Sequence, residues 1–330
     1  ISIAGAIASD VHGKNHHISG CFSESVESFS LLLANGFKVV CSRSSNVDLF
    51  HATCGGQGLT GVILDAKIFL KKIKSKNIDQ TIIKNMNLRE TFDSFEKYQH
   101  MTYSVAWIDC LSSGKKLGKS LLMLGEFSND GDLDYREPVK RKIPFFFPSF
   151  VLNMITVKVF NFLYFNKVFR KLSTSKVGLD TFFYPLDKIL GWNKIYGKKG
   201  FVQYQFILPK EKSFEGLGLI LSEISKSGKG SFLAVLKLYG ESNENFLSFP
   251  IEGYSLALDF KVEKGLFQLL DELDEIVCRY GGRIYLAKDA RVDEHVFKQG
   301  YPLWKKFDLI RDKYNSVSYT HLTLPTTPYV

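Results

Sequence analysis

Cysteine is scarce in this 330-residue chain, and the five that occur, Cys21, Cys41, Cys54, Cys110 and Cys278, share no short repeated spacing. That excludes a zinc knuckle and a disulfide scaffold, and predicts reduced, mostly buried thiols. No apolar run approaches the ~20 residues that a membrane-crossing helix needs. The apolar, Gly/Ala-rich opening has no basic segment ahead of it, so no signal peptide is expected. No Gly-Lys-Ser/Thr closes a glycine-rich turn and no G-x-G-x-x-G opens a helix, which removes a Walker loop and a Rossmann fingerprint. His12, His16 and His17 have no acidic or Cys partner at ligand spacing, so no metal site is expected. On a strand, His16 and His17 would face opposite ways, and structural hydrogen bonding is the role expected of them.

What is present is an ordinary globular composition, 45% hydrophobic and 23% charged, in a chain long enough for two domains. The net charge of +9 favours anionic partners without choosing among phosphate, nucleic acid and an acidic membrane face. No recognised nucleic-acid module is present and the cations cluster beside phenylalanines, so no nucleic-acid partner is expected.

Ile3 to Ala8 reads as a small-residue strand, and Phe22 to Ala34 as either a helix or an extended edge. Strands are predicted at 38–41, 62–70, 103–108, 120–127, 201–206, 231–238, 256–260 and 283–286. Helices are predicted near 86–100, over 212–227 ending before Gly228, and over 266–280 ending at Gly281-Gly282. This alternation predicts an α+β domain whose sheet is covered on one side. Residues 138–171 hold Lys140, Arg141, Lys142, Lys158, Lys167, Arg170 and Lys171 among many phenylalanines, with no acidic residue. Such a segment lies on a lipid surface, lines a lipid-tail groove, or packs on the domain with its cations snorkelling.

Two segments are rich in small residues. Gly5 to His17 is one, and Gly55 to Gly61 is the other. Small side chains let backbone approach a ligand, and peptide N–H groups in such bends can cradle phosphate or a polarised ring. Two such loops within 60 residues suggest one large cofactor spanning both, although glycine turns also serve architecture alone.

Ala4 to Phe22, followed by Asn46-Val47-Asp48-Leu49-Phe50-His51-Ala52-Thr53-Cys54-Gly55-Gly56-Gln57-Gly58-Leu59-Thr60-Gly61, resembles the FAD domain of the vanillyl-alcohol-oxidase superfamily. The resemblance implies an FAD-binding PCMH-type fold with an antiparallel-sheet substrate domain. It implies FAD held non-covalently by Gly5, His12, Gly13, Asn15, Gly61 and the backbone of Ile63. Tyr103 to Asp109, Phe183 to Asp187, Trp192-Asn193, Gly200 to Phe206, Ser231 to Gly240, Ser248-Phe249-Pro250 and Tyr285 to Arg291 narrow it. In that order they resemble the decaprenylphosphoryl-β-D-ribose 2′-oxidase family, from Ile3 to about Asn315.

By that resemblance, Lys288 and Lys237 are active-site lysines, Gln205 a substrate-side amide, Tyr184 a pocket hydroxyl, and Trp107 and Tyr239 pocket walls. On the residues alone, a lone lysine is most often exposed, Gln205 points to pocket or solvent, and Trp107 is a core aromatic. Ala257 stands where mycobacterial members carry a cysteine. The implied chemistry is oxidation of the ribose 2′-hydroxyl of a polyprenyl-phosphate sugar. An NADH-dependent short-chain reductase is the implied partner that completes epimerisation to arabinose. An aldonolactone or polyol oxidase of the same superfamily is the other reading.

The expected division is 1–74 and a return segment 283–317 in the FAD domain, with 75–282 in the substrate domain. The family's N-terminal part, with its first pyrophosphate-binding loop, is expected ahead of Ile1, and a non-native tail at 318–330. The expected location is cytoplasmic or peripheral at the inner membrane.

Overall fold

The computed structural model describes residues 2–316, so the tail expected at 318–330 lies outside them. The chain opens with α1 (Ile3–Ala8), where a strand was expected. Short runs of small residues do not separate strand from helix by periodicity. Here the Ser2 hydroxyl caps the helix, accepting from Gly5 N–H at 3.0 Å, and Ala6 and Ile7 are buried. The one-turn α2 (His16–Ser19) follows, so His16 and His17 leave a helical turn rather than a strand. The undecided segment resolves into a 3₁₀ turn at Phe22–Ser25 and strand β1 (Val26–Leu32). Next come β2 (Lys38–Ser42), α3 (Val47–Thr53) and β3 (Val62–Ile68). These strands form an antiparallel sheet in the order β2-β1-β3.

The chain continues through β4 (Asn77–Asn85), α4 (Leu88–Lys97), β5 (Tyr103–Ile108), β6 (Ser120–Phe127) and the short β7 (Arg141–Lys142). Then follow α5 (Met154–Asn166), β8 (Leu172–Gly178), α6 (Leu179–Phe183), β9 (Ile189–Leu190) and β10 (Phe201–Pro209). The last elements are α7 (Lys210–Ser227), β11 (Ala234–Tyr239), β12 (Gly253–Lys261), α8 (Leu266–Arg279), β13 (Arg283–Ile284), α9 (Glu294–Gly300) and α10 (Trp304–Lys313). Eight strands make one antiparallel sheet in the order β13-β10-β12-β11-β5-β6-β4-β8. The molecule is thus mixed α and β, with two antiparallel sheets and a short parallel pair, β7–β9. β4 and β8 were not foreseen: both mix polar and apolar residues, and β8 is largely exposed.

The two-residue period of each strand sorts its side chains between two faces. Tyr204, Phe206 and Leu208 of β10, Leu236 and Leu238 of β11, and Leu256, Leu258 and Phe260 of β12 join the main core. Leu217, Ile220 and Leu221 of α7 and Leu269 and Leu273 of α8 close over them. Each such side chain contributes roughly 1.5–3 kcal/mol when fully buried. Gln203, Gln205, Lys237, Ser255, Ala257 and Asp259 alternate with these residues and take the other face. At its β5–β6 end that face is covered by α5, whose Phe165 packs with Trp107 and Leu121.

A second core joins Phe29, Leu31, Leu49 and Phe50 to Phe246 and Leu247 and to Tyr301, Phe307 and Ile310. The C-terminal helices therefore pack back onto the three-stranded sheet. All five cysteines are free and buried, as expected. Among the described residues no helix is long and apolar enough to cross a membrane.

Candidate active site

Gln205 is the centre of the polar sheet face. It lies opposite Ala257 in the β10–β12 register, and Ser255 lies opposite Lys237 across β12–β11. Its side chain is buried, and the amide nitrogen lies 3.0 Å from Ser255 Oγ, 3.1 Å from His12 Nε2 and 3.3 Å from Tyr239 Oη, three neighbours that share its two hydrogens. His12 comes from the loop after α1, which is fixed by a bridge between His12 and Cys21. The ring is boxed by Tyr239 and Tyr285, each 4.9 Å away between centroids, and by Phe249 at 5.4 Å. Burial, then the nearby Lys237 and Lys288, holds its pKa well below the usual histidine range. His12 is therefore neutral at pH 7.

Three lysines converge here. Burial, then Lys288 and Lys14, lowers Lys237 to about 7. Lys288, on the 3₁₀ turn Leu286–Lys288, is lowered by burial to about 8 while Asp259 opposes the shift. Burial also lowers Lys14 to about 8; its ammonium donates to the Phe182 carbonyl and sits 4.5 Å from the Phe182 ring centroid. The Asp259 carboxyl, pushed up to about 6 by burial, accepts from Gln203 Nε2 at 2.7 Å. Amines of lowered pKa can hold developing negative charge or accept a proton near neutral pH.

A cavity of about 450 Å³ is lined by His12, Gly13, Lys14, Asn15, Tyr184 and Lys237, among others. Residues expected on the cofactor side thus share one wall system with residues expected on the substrate side. Tyr184 is half exposed at the end of α6. Tyr239 is buried behind Gln205, and Lys288 lines a separate small crevice with Gln205 and Tyr285. Trp107 is buried under α5, with its indole N–H on Phe232 O at 3.0 Å and its ring 4.8 Å from that of Tyr164.

Gly5, Gly61 and Ile63 lie away from that cavity, where α1 packs on β3. The two glycine-rich segments do meet: Gly55 N–H donates to Ile7 O at 3.0 Å and Gln57 N–H to Ala8 O at 2.8 Å. Gly61 has φ +151°, and a Cβ there would lie 2.5 Å from Leu32 O, so β1 alone requires glycine at this position.

Sequence reasoning missed Asp10, Lys14, Asp259 and Tyr285. Asp10 is fully buried and accepts from Ser23 N–H at 3.0 Å, Asn243 Nδ2 at 2.7 Å, Asn245 Nδ2 at 2.8 Å and Ser248 Oγ at 2.7 Å. It ties the His12 loop to the 243–248 loop. An acidic residue within an apolar strand, as in Leu256-Ala257-Leu258-Asp259-Phe260, was a legible signal. His16 and His17 make the structural bonds expected of them: His16 Nδ1 accepts from Gly240 N–H at 3.2 Å, and His17 Nε2 meets Met101 O at 2.9 Å.

No protein-family model matches the chain. It is 27% identical over 94% of its length to a Streptomyces coelicolor protein described as an uncharacterized protein in the mprA 5′ region, covering 88% of that protein. It is 37% identical over 92% of its length to the decaprenylphosphoryl-β-D-ribose oxidase of Mycolicibacterium smegmatis, covering 68% of that enzyme. With this identity over two thirds of the relative, the chain belongs to the decaprenylphosphoryl-β-D-ribose oxidase family.

Proposed function

We propose that this chain is an oxidoreductase that oxidises the ribose 2′-hydroxyl of a polyprenylphosphoryl-β-D-ribose to the 2′-keto sugar. The observation that carries the reading is the cavity where the His12–Asn15 loop faces Lys237 and Tyr184. Family membership supports a flavin as the cofactor class, and we assign FAD, held without a covalent link by His12, Gly13 and Asn15 at that cavity; Gly5, Gly61 and the backbone of Ile63, away from it where α1 packs on β3, are assigned to FAD on the family resemblance alone. The residues fit such a group: His12 Nδ1, on a residue lining that cavity, and Gln205 Oε1, on a residue lining the crevice with Lys288, are buried polar atoms without a protein partner among the described residues. When bound, FAD supplies the acceptor for the hydride that leaves C2′.

The chain's own residues handle position and charge. Lys237, at about pH 7 on the edge of deprotonation, accepts the O2′ proton at Nζ or holds the developing alkoxide. Lys288, whose charge is felt at Lys237, adds to the same stabilisation, and the nearby Asp259 favours its protonated form. Gln205 and Tyr184 orient the sugar by hydrogen bonds, and Trp107 and Tyr239 stiffen the wall behind it.

In this reading residues 1–74 and 283–317 form the cofactor side of a PCMH-type, vanillyl-alcohol-oxidase-like fold, and 75–282 the substrate side. An NADH-dependent short-chain reductase consumes the keto product, which sets the location as cytoplasmic or peripheral at the inner membrane. The test is flavin absorbance of the purified full-length protein, followed by bleaching with polyprenylphosphoryl ribose against free sugar lactones. Bleaching with the lipid sugar alone is the expected result; bleaching only with lactones identifies a soluble-sugar oxidase instead. Lys288→Met is expected to slow flavin reduction by at least tenfold, about 1.4 kcal/mol of transition-state stabilisation.

A further inference from the structure

Helix α5 is apolar on its outward face as well as its inward one. Its buried stripe is Val157, Asn161 and Phe165, and at the centre Asn161 Nδ2 donates to Asp109 Oδ1 at 2.6 Å. The opposite stripe, at i, i+4, i+7 and i+8, is Ile155, Val159, Phe162 and Leu163. These side chains are 69%, 52%, 60% and 62% exposed. A surface helix commonly turns a polar face to solvent; this one buries Val157 and Phe165 beside the Asn161 anchor and still leaves a second apolar stripe in water. Phe150 and Phe169, on either side of the helix, are 74% and 93% exposed. A contiguous apolar face of this kind marks an interaction surface.

Charge selects the partner. Lys158 flanks the apolar stripe, and Arg170 and Lys171 follow the helix. Among the described residues none of these three forms an ion pair with a carboxylate. Residues 138–171 contain no Asp or Glu at all. A second copy meeting this face through a two-fold axis would set like charges against each other, which costs association. An anionic bilayer satisfies both features, with apolar side chains entering the acyl boundary and cations at the headgroups.

We propose that the outward face of α5, with Phe150 and Phe169, docks this protein on the surface of an anionic lipid bilayer. The geometry ties docking to the sheet face that carries the lysines. The Tyr164 ring of α5 lies against that of Trp107, which pairs across β5–β11 with Val235, two residues from Lys237 on the same face. Resting on the functional reading above, a lipid-linked sugar can then keep its tail in the bilayer while its head reaches the lysines.

The test is co-sedimentation of the purified protein with phosphatidylcholine vesicles, plain and doped with phosphatidylglycerol. Retention on the doped vesicles and little on the plain ones is expected. Phe162→Asp is expected to weaken it about tenfold or more, and Lys158→Glu and Arg170→Glu about fivefold for each cation removed. Circular dichroism checks that Phe162→Asp is folded; if it is not, the two charge reversals at exposed positions carry the test. Equal retention on both vesicles, no retention, or retention indifferent to these changes overturns the proposal. So does a concentration-dependent dimer that Phe162→Asp dissolves. The readout needs no turnover, so it stands or falls apart from the oxidase reading.

Discussion

Gln205 and His12 meet through a 3.1 Å hydrogen bond between side-chain nitrogens 193 residues apart in sequence. It joins the large sheet to the loop after α1. The amide donates, so His12 Nε2 accepts and its proton resides on Nδ1. Burial keeps the ring neutral, which makes this contact an ordinary hydrogen bond rather than an ion pair.

Replacing Gln205 by Leu strands His12 Nε2, Ser255 Oγ and Tyr239 Oη in a buried place. The expected loss is about 1–3 kcal/mol of stability, read by urea unfolding, together with slower turnover. Gln205→Glu sets a carboxylate beside the ring and should raise the His12 pKa, which NMR titration of the imidazole would detect. A titration identical to wild type would refute the contact.

Lys237 should make the protein less stable at neutral pH than it is in alkali. Its folded pKa of about 7 lies below the ordinary 10.5, so between these values the unfolded chain holds a proton that the folded chain has released. The penalty is full below pH 7 and fades as pH rises to 10.5. Lys14 and Lys288 act in the same direction from about pH 8 upward. Lys237→Met is therefore expected to melt higher than wild type near neutrality while losing activity, with the gain in melting temperature shrinking in alkali. A constant gain at all pH values would contradict this.

Acid should unfold the protein partly through His16. Burial holds this ring at about 4 against the ordinary 6.5. Its contribution is whole above pH 6.5 and is lost as pH falls to 4, about 3 kcal/mol in all. His12 and His17, lowered in the same direction, add to the loss. Denaturant midpoints of His16→Gln measured across this range should fall less steeply than those of wild type.

Asp10→Asn is expected to cost about 1–3 kcal/mol, since its NH₂ would face either Ser23 N–H, which now meets one carboxylate oxygen, or the donors of Asn243, Asn245 and Ser248, which meet the other. Because Asp10 anchors the His12 loop, the same variant should release bound flavin faster. Unchanged stability in chemical denaturation would show that the network is dispensable.

Local pattern determined much of this molecule in sequence. The alternation along β10, β11 and β12 and the 3.6-residue stripes of α7 and α8 fixed which side chains leave water, because burial of apolar area follows from periodicity alone. The left-handed glycines 228 and 281 stopped both helices where expected. The unusual character of residues 138–171 was equally plain in composition. Tertiary structure decided the rest. Only the strand order puts Gln205, Ser255 and Lys237 side by side, and only packing brings the His12 loop over them. The Ile3–Ala8 segment is too short for its period to be read, so its cap and its burial chose helix. The depressed lysine pKa values arise from burial, and for Lys237 also from Lys288 and Lys14 nearby, a property of the assembled site that no single stretch of sequence contains. Likewise, composition gave α5 its phenylalanines, but only its packing, with Val157, Asn161 and Phe165 inward, decided which apolar stripe stays outward.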